Sequence, residues 1–381
     1  MAGIYLHIPF CKQACTYCNF HFSTSLRYKD DLVQALRKEI IAEKDYLGGE
    51  EVATIYFGGG TPSILAVEDC RLLIDDLRKH FAVATDVEIT LEANPDDVTP
   101  EKAAAWKNLG INRLSIGIQS FFEEELRWMN RAHNADQAKA CIENSYAAGI
   151  DNLSIDLIYG SPLLTDDMWQ QNVETAIGYG IKHLSCYALT VEEKTPLHKN
   201  ISLQKTIDVD NDKQARQFLQ LMEWLRNAGY EHYEVSNFAK PGFRSKHNSS
   251  YWKGFSYLGL GPSAHSFNGR ERRWNIANNN VYIKSINGGG AEREIEKLTP
   301  SQQLNESIMI SLRTMEGIDL NKMQMEWGEK ERKRIEKDLT KYLRTGLIKM
   351  SNDHAQLTDE GMLRADGIAA DLFVFEPRTT G

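Results

Sequence analysis

The sequence predicts an α/β chain: a partial (β/α)6 barrel followed by a smaller, mostly α, winged-helix-like C-terminal domain. Two observations carry this. Over the first half, short β-rich runs alternate with amphipathic helical stretches, and alternation of that kind builds a parallel sheet with its helices outside. After Ala188 the pattern changes, and the end of the chain reads as helices followed by a hairpin.

Strands are expected at residues 4–8, 54–57, 87–91, 113–118, 152–157 and 183–188. Helices are expected between them at 28–46, 67–80, 101–108, 135–148 and 168–177. Leu32, Leu36, Ile40 and Ile41, spaced to share one helical face, illustrate the signal. A closed (β/α)8 barrel needs eight such units in roughly 250 residues. Six are visible, so the reading is a partial barrel, with an open doubly wound sheet as the alternative closure. Beyond it come a helix at 210–228, a short strand at 231–235 and an irregular Gly-, Asn- and aromatic-rich region to about residue 280. The run Asn-Gly-Gly-Gly at 287–290 reads as a linker. Helices at 302–314, 319–327 and 330–343, strands at 347–350 and 355–357, and a last helix at 359–370 complete the chain. The expected domains are a core over 1–230, an extension over 231–290 and a C-terminal module over 291–381.

The chain has 381 residues, 42% of them apolar and 25% charged, as soluble globular proteins do. A net charge of −9 supplies no basic field, so nucleic acid is not an expected partner. No apolar run reaches the 18 or so residues of a membrane span, so no transmembrane segment is expected. Residues 1–10 do not resemble a signal peptide. Three of the six cysteines fall within eight positions, which in a reducing compartment means metal or catalysis rather than disulfides. The expected setting is the cytosol.

The cysteine segment Cys11-Lys-Gln-Ala-Cys15-Thr-Tyr-Cys18 directly follows the first strand. Three thiolates this close can converge on an iron–sulfur cluster, leaving one iron for an outside ligand. A zinc site is the alternative, with His21 or His7 as fourth ligand. Cys70, Cys141 and Cys186 lie within helix or strand patterns and read as small buried apolar residues. Gly58, Gly59 and Gly60 end a strand, where backbone without side chains lets a ligand approach; a plain turn is the other reading. Glu92, Gln119 and Asp156 each end a strand, the ligand-binding side of such barrels, although each could instead cap the next helix.

Here the chain resembles the radical SAM superfamily, whose signature is CxxxCxxC. Tyr5-Leu-His7-Ile-Pro9-Phe10-Cys11, Phe57-Gly58-Gly59-Gly60-Thr61-Pro62, Glu92-Ala-Asn94-Pro95, Gly117-Ile-Gln119-Ser120-Phe121 and Asp156-Leu-Ile-Tyr-Gly160 narrow the likeness. In that order they resemble the oxygen-independent coproporphyrinogen III oxidase group and its heme chaperone (HemW) branch. The resemblance implies a [4Fe-4S] cluster on Cys11, Cys15 and Cys18, with S-adenosylmethionine (SAM) chelating the open iron. It implies SAM contacts from Tyr5, Gly59, Gly60, Thr61, Glu92, Gln119, Arg131 and Asp156, with Tyr17 and Ala188 as further pocket residues. Arg131 would take the SAM carboxylate through its fork; without the resemblance it reads as a surface ion pair.

Two departures separate the chain from the oxidase pattern. Phe20 stands where the oxidases carry a further cysteine, and only four residues precede Tyr5, where they carry an extension. His247-Asn248-Ser-Ser-Tyr251-Trp252 matches the HNxxYW motif associated with heme binding in the chaperone branch. By residue type alone, such a cluster is more often a packed, hydrogen-bonded patch, and His265 is a second, more structural candidate. The resemblance therefore implies a heme-binding protein that delivers heme to acceptors such as respiratory hemoproteins, with an unknown electron donor. Oxidative decarboxylation of coproporphyrinogen III is the alternative. A homodimer is compatible with the sequence.

Overall fold

A computed structural model describes residues 1–375. The chain divides into two compact units, one of Met1–Gln217 with Gly242–Glu296, the other of Phe218–Pro241 with the residues from Lys297 on. The stretch 231–290, expected as one extension, is thus shared between them.

In the first unit β1 (Ala2–Ile8), β2 (Val52–Gly59), β3 (Val83–Ala93), β4 (Arg113–Gln119), β5 (Asn152–Tyr159) and β6 (His183–Ala188) form the expected strands. They pair in strict chain order, every neighbour parallel. An open doubly wound sheet reverses its strand order at a switch point. No reversal occurs among these six, which makes the sheet a partial (β/α)6 barrel. The helices α1 (Lys29–Ala42), α2 (Val67–His80), α3 (Pro100–Asn108), α4 (Glu123–Trp128), α5 (Ala135–Ala147) and α6 (Asp166–Gly178) fill the crossovers. Thr99, Asn134 and Thr165 start α3, α5 and α6, each side chain accepting from a first-turn N–H.

Alternation along each strand divides the sheet into two faces. Leu6, Ile55, Leu91, Leu114, Ile155 and Leu184 are buried. Removing each such side chain from water contributes about 1.5–3 kcal/mol. Their neighbours Tyr5, Tyr56, Glu92, Ser115 and Asp156 occupy the other face, which is the polar barrel interior. The register places Tyr5 beside Tyr56 and Glu92 beside Ser115.

The region expected to be irregular is ordered instead. After α7 (Pro196–Ser202), α8 (Asn211–Asn227), β7 (Glu231–Glu234) and β8 (Asn237–Ala239) come α9 (Lys246–Trp252), β9 (Tyr257–Leu260), β10 (His265–Phe267) and β11 (Glu271–Asn275). β9 runs parallel to β1 on its free edge, and β10 and β11 continue antiparallel. Strands of three to five residues, with Gly259 among them, are too short to show a period. α10 (Asn279–Asn287) and β12 (Arg293–Lys297) follow.

The second unit contains α11 (Pro300–Leu312), β13 (Ile318–Asp319), α12 (Leu320–Trp327), α13 (Glu329–Arg344), β14 (Ile348–Ser351), β15 (His354–Leu357), α14 (Asp359–Met362) and α15 (Ala365–Asp371). Leu304, Ile308, Leu312, Ile335 and Leu339 are buried in it. Its three strands pair in the order β13-β15-β14, so the expected hairpin gains a third, two-residue strand. Among the described residues no helix is long and apolar enough to cross a membrane.

Candidate functional site

At the C-terminal end of the barrel strands lies a cavity of about 510 Å³. Cys11, Cys15 and Cys18 all line it, together with Tyr5, Tyr17, Gly59, Gly60, Thr61, Glu92, Gln119, Arg131, Asp156 and Ala188. The structure thus brings together every residue expected at the cluster and SAM sites.

The cysteine loop leaves β1 at Pro9 and is held by its backbone. Cys11 N donates to Ser23 O at 3.0 Å and Ser23 N donates to Pro9 O at 2.8 Å, closing the loop on itself. Lys12 anchors its rim, with Nζ at 2.7 Å from Asp96 and 2.5 Å from Asp97. The three thiols are free and half-buried. Burial, opposed by the hydroxyl of Thr61 and assisted by the neighbouring thiols, raises the Cys11 thiol to about 11. Metal binding would have to displace those protons.

One hydrogen-bonded chain links two of the thiols around the cavity wall. Thr61 Oγ1 donates to Cys11 Sγ at 3.5 Å and accepts from Asn94 Nδ2 at 3.4 Å. Asn94 Oδ1 accepts from Arg131 at 2.9 Å, and Arg131 donates to Cys15 Sγ at 3.1 Å. Asn94 is a cavity residue that the sequence reading passed over; its place two residues after Glu92, at the end of β3, was the available signal.

The glycine turn is required by geometry. Gly59 has φ +112°, a region that favours glycine, and a Cβ on Gly60 would lie 2.7 Å from Phe10 O. Gln119 also adopts a positive φ of 67° at the end of β4, a strained backbone held at the cavity wall. Below the glycines, Glu92 accepts from Tyr56 OH at 2.8 Å and from Gly59 N at 3.2 Å. Burial, partly offset by Tyr56, raises its carboxyl to about 7. Burial likewise raises Asp156 to about 6, against the opposing hydroxyl of Ser185. Two carboxyls that titrate near neutrality can accept from vicinal hydroxyls or pair with a cationic amino group.

The donor set suits a cluster better than a single ion. The two histidines considered as zinc ligands are engaged elsewhere: His7 Nε2 contacts His21 O at 3.1 Å, and His21 Nε2 contacts Asn279 Oδ1 at 2.8 Å. Three half-buried free thiols lining one cavity fit the thiolate ligand set that an iron–sulfur cluster would need.

The HNxxYW residues lie elsewhere. His247, Asn248, Tyr251 and Trp252 are on α9 and do not line the cavity. His247 is 1% exposed, and its ring stacks on Tyr56 at 4.9 Å. Nδ1 contacts Thr54 Oγ1 at 2.8 Å and Nε2 contacts Tyr251 OH at 2.9 Å. Glu88 Oε1 accepts from the N–H of Lys246 at 3.0 Å and of His247 at 3.2 Å, fixing the start of α9. Thr54 and Glu88 precede the cavity-facing ends of β2 and β3, so α9 closes the opposite end of the barrel. Burial, then the charge of Arg113, lowers His247 to about 3, so the ring is neutral.

Comparison with known proteins agrees with this geometry. Residues 5–176 match the radical SAM superfamily model, and residues 298–364 match the HemN C-terminal domain. The heme chaperone HemW of Mycobacterium tuberculosis is 34% identical over 97% of this chain and 94% of its own length. That of Bacillus subtilis is 31% identical over 95% and 97%. The solved structure of coproporphyrinogen III oxidase (HemN) from Escherichia coli superposes with a TM-score of 0.84 at 22% identity, covering 98% of this chain and 90% of that one, and so shares the fold. With relatives at this identity over nearly its whole length, the chain belongs to the heme chaperone HemW family of the radical SAM superfamily.

Proposed function

We propose that this protein is a cytosolic heme chaperone of radical SAM type that binds heme and delivers it to acceptor hemoproteins. The cofactor part of the reading is supported by the convergence of Cys11, Cys15 and Cys18 with the glycine turn and the two raised carboxyls on one cavity, and the heme part by the likeness to heme chaperones over nearly the whole chain. Cys11, Cys15 and Cys18 would hold the [4Fe-4S] cluster through their thiolates. When bound, that cluster supplies an open iron for SAM and one-electron reducing chemistry. The backbone of Gly59 and Gly60, with Thr61, lets SAM approach closely. Glu92 and Asp156 take its hydroxyls and amino group, Gln119 and Tyr5 bound the remaining walls, and Tyr17 and Ala188 cover the adenine side.

The motif on α9 is the heme element. Its half-buried Asn248 and Trp252 are what a macrocycle meets first. His247 reaches heme iron through one ring nitrogen only after releasing the partner of that nitrogen, Tyr251 at Nε2 or Thr54 at Nδ1, so heme binding through this buried ring includes an opening of the barrel floor.

Titrating anaerobically prepared protein with hemin, then mixing it with an apo-hemoprotein, tests the reading. A Soret band that moves to the acceptor is expected. No Soret band, or conversion of coproporphyrinogen III to protoporphyrinogen IX by reduced protein with SAM, would replace the chaperone with another function.

A further inference from the structure

By residue type His265 reads as structural, yet its surroundings leave it available. It opens β10 with its ring exposed, and among the described residues neither ring nitrogen has a hydrogen-bond partner. The ring stacks on Trp274, with centroids 5.6 Å apart and planes 23° from parallel. Partial burial, then the charge of Arg272, lowers this imidazole from its ordinary value, so the ring is neutral at physiological pH and keeps a lone pair.

The residues around it share one face of the β10–β11 hairpin. His265 lies directly across from Trp274 and Phe267 from Arg272, and these four alternate away from Ser266 and Arg273. The opposite face is fastened down. Ser266 Oγ accepts from Gly259 N at 2.9 Å, and Asn275 Nδ2 donates to Glu39 Oε1 at 2.7 Å. Arg273 pairs with Glu43 and lies 3.6 Å over the Tyr46 ring. At the turn, Asn268 Oδ1 accepts from the N–H groups of Arg270 at 3.2 Å and Glu271 at 3.0 Å. A back held this firmly keeps the His265 face in one shape.

That face carries what an iron tetrapyrrole asks of a protein. It offers an imidazole for the metal, an aromatic ring for the macrocycle and a guanidinium for a propionate. Arg272 lies 6.0 Å over the Phe267 ring, and Arg270 adds a second cation in the exposed turn. In a chain of net charge −9 this basic spot is complementary to a dianionic heme. A row of rings also joins the face to α9. Phe267 lies 6.2 Å from Tyr257, Tyr257 meets Tyr251 edge-on at 4.6 Å, and Tyr251 OH contacts His247 Nε2 at 2.9 Å. The exposed imidazole and the enclosed one stand at the two ends of that row.

We propose that the His265 face of the β10–β11 hairpin is a second heme site, with His265 binding the iron, Trp274 holding the imidazole plane, and Phe267 and Arg272 meeting the macrocycle and a propionate. A ring nitrogen replaces a water on ferric iron, and no electron is transferred. The inference rests on the proposed heme-binding function, and differs from binding at His247 in needing no opening of the barrel floor.

The test mixes hemin with the full chain in stopped flow, follows the Soret band and counts bound heme at saturation. Two phases are expected in the parent protein, a fast one at the exposed ring and a slow one gated by the floor. His265→Ala should lose the fast phase and about one heme per chain, whereas His247→Ala should lose the slow phase. His265→Met should keep the fast phase with a shifted Soret band, because the ligand to iron has changed. Arg272→Gln should weaken the fast phase for hemin and not for hemin dimethyl ester, which lacks the propionate charges. A His265→Ala protein with the parent's phases and heme count would overturn the proposal, as would an unshifted band in His265→Met. If the parent itself binds no hemin, the heme-binding function falls, and this site with it.

Discussion

The two ends of the barrel hold similar residue types in opposite states. At the open end Tyr5, Glu92, Asp156 and Arg131 face a cavity, and burial lifts the two carboxyls to about 7 and about 6. At the closed end Thr54, Glu88, His247 and Tyr251 bond to one another, and His247 is pushed down to about 3. Burial favours the neutral form in both places. Because an acid and a base shift in opposite directions, only the open end titrates near neutral pH. Chemistry belongs where polar capacity is left over, and rigidity where it is spent.

The sharpest way to break this contrast is to remove a thiol at the open end. Cys15→Ser should abolish nearly all cluster iron while leaving the circular dichroism spectrum intact, because the thiols are half-buried loop groups. Loss of the fold itself would show that the open end is structural.

The closed end should respond the other way. His247→Ala empties a buried site between Tyr56 and Tyr251, leaving Thr54 and Tyr251 without a partner. A loss of about 2–4 kcal/mol is expected in denaturant unfolding, with cluster iron retained. The same variant should weaken the Soret band; a stable protein with an unaltered heme spectrum would detach this ring from both roles.

Smaller effects follow from pH, with opposite signs at the two ends. Glu92 and Asp156 have raised folded values, so the stability they contribute is complete below pH 4 or so and fades as pH rises through 6 to 7. His247 has a lowered folded value, so its contribution is present above the ordinary imidazole range and is lost as pH falls towards 3. In metal-free protein, Glu92→Gln should therefore gain about 1–2 kcal/mol relative to the parent at pH 8 and little at pH 4. An equal effect at both pH values would show that burial does not hold the Glu92 carboxyl near neutrality.

Much of this architecture was legible from periodicity. The six parallel strands and their helices repeat over enough residues for a pattern to register, and Glu92, Gln119 and Asp156 could be placed at strand ends for the same reason. The edge strand β9 and its antiparallel neighbours were not legible, since three to five residues carry no period and pairing beside β1 is a tertiary fact. Asn94 was hidden because its role comes from bridging Thr61 and Arg131, far apart in sequence. The placement of His247 was hidden likewise: its spacing to Tyr251 fits one helical face, but nothing local says that the face plugs a barrel.

What the three thiols hold decides the chemistry of the cavity. Iron and acid-labile sulfide should be counted on anaerobically prepared protein, and the reduced-state EPR spectrum recorded before and after adding SAM. About four of each per chain, with a signal that changes on SAM addition, is the predicted result. A colourless protein carrying one zinc, or a cluster whose spectrum ignores SAM, would contradict it.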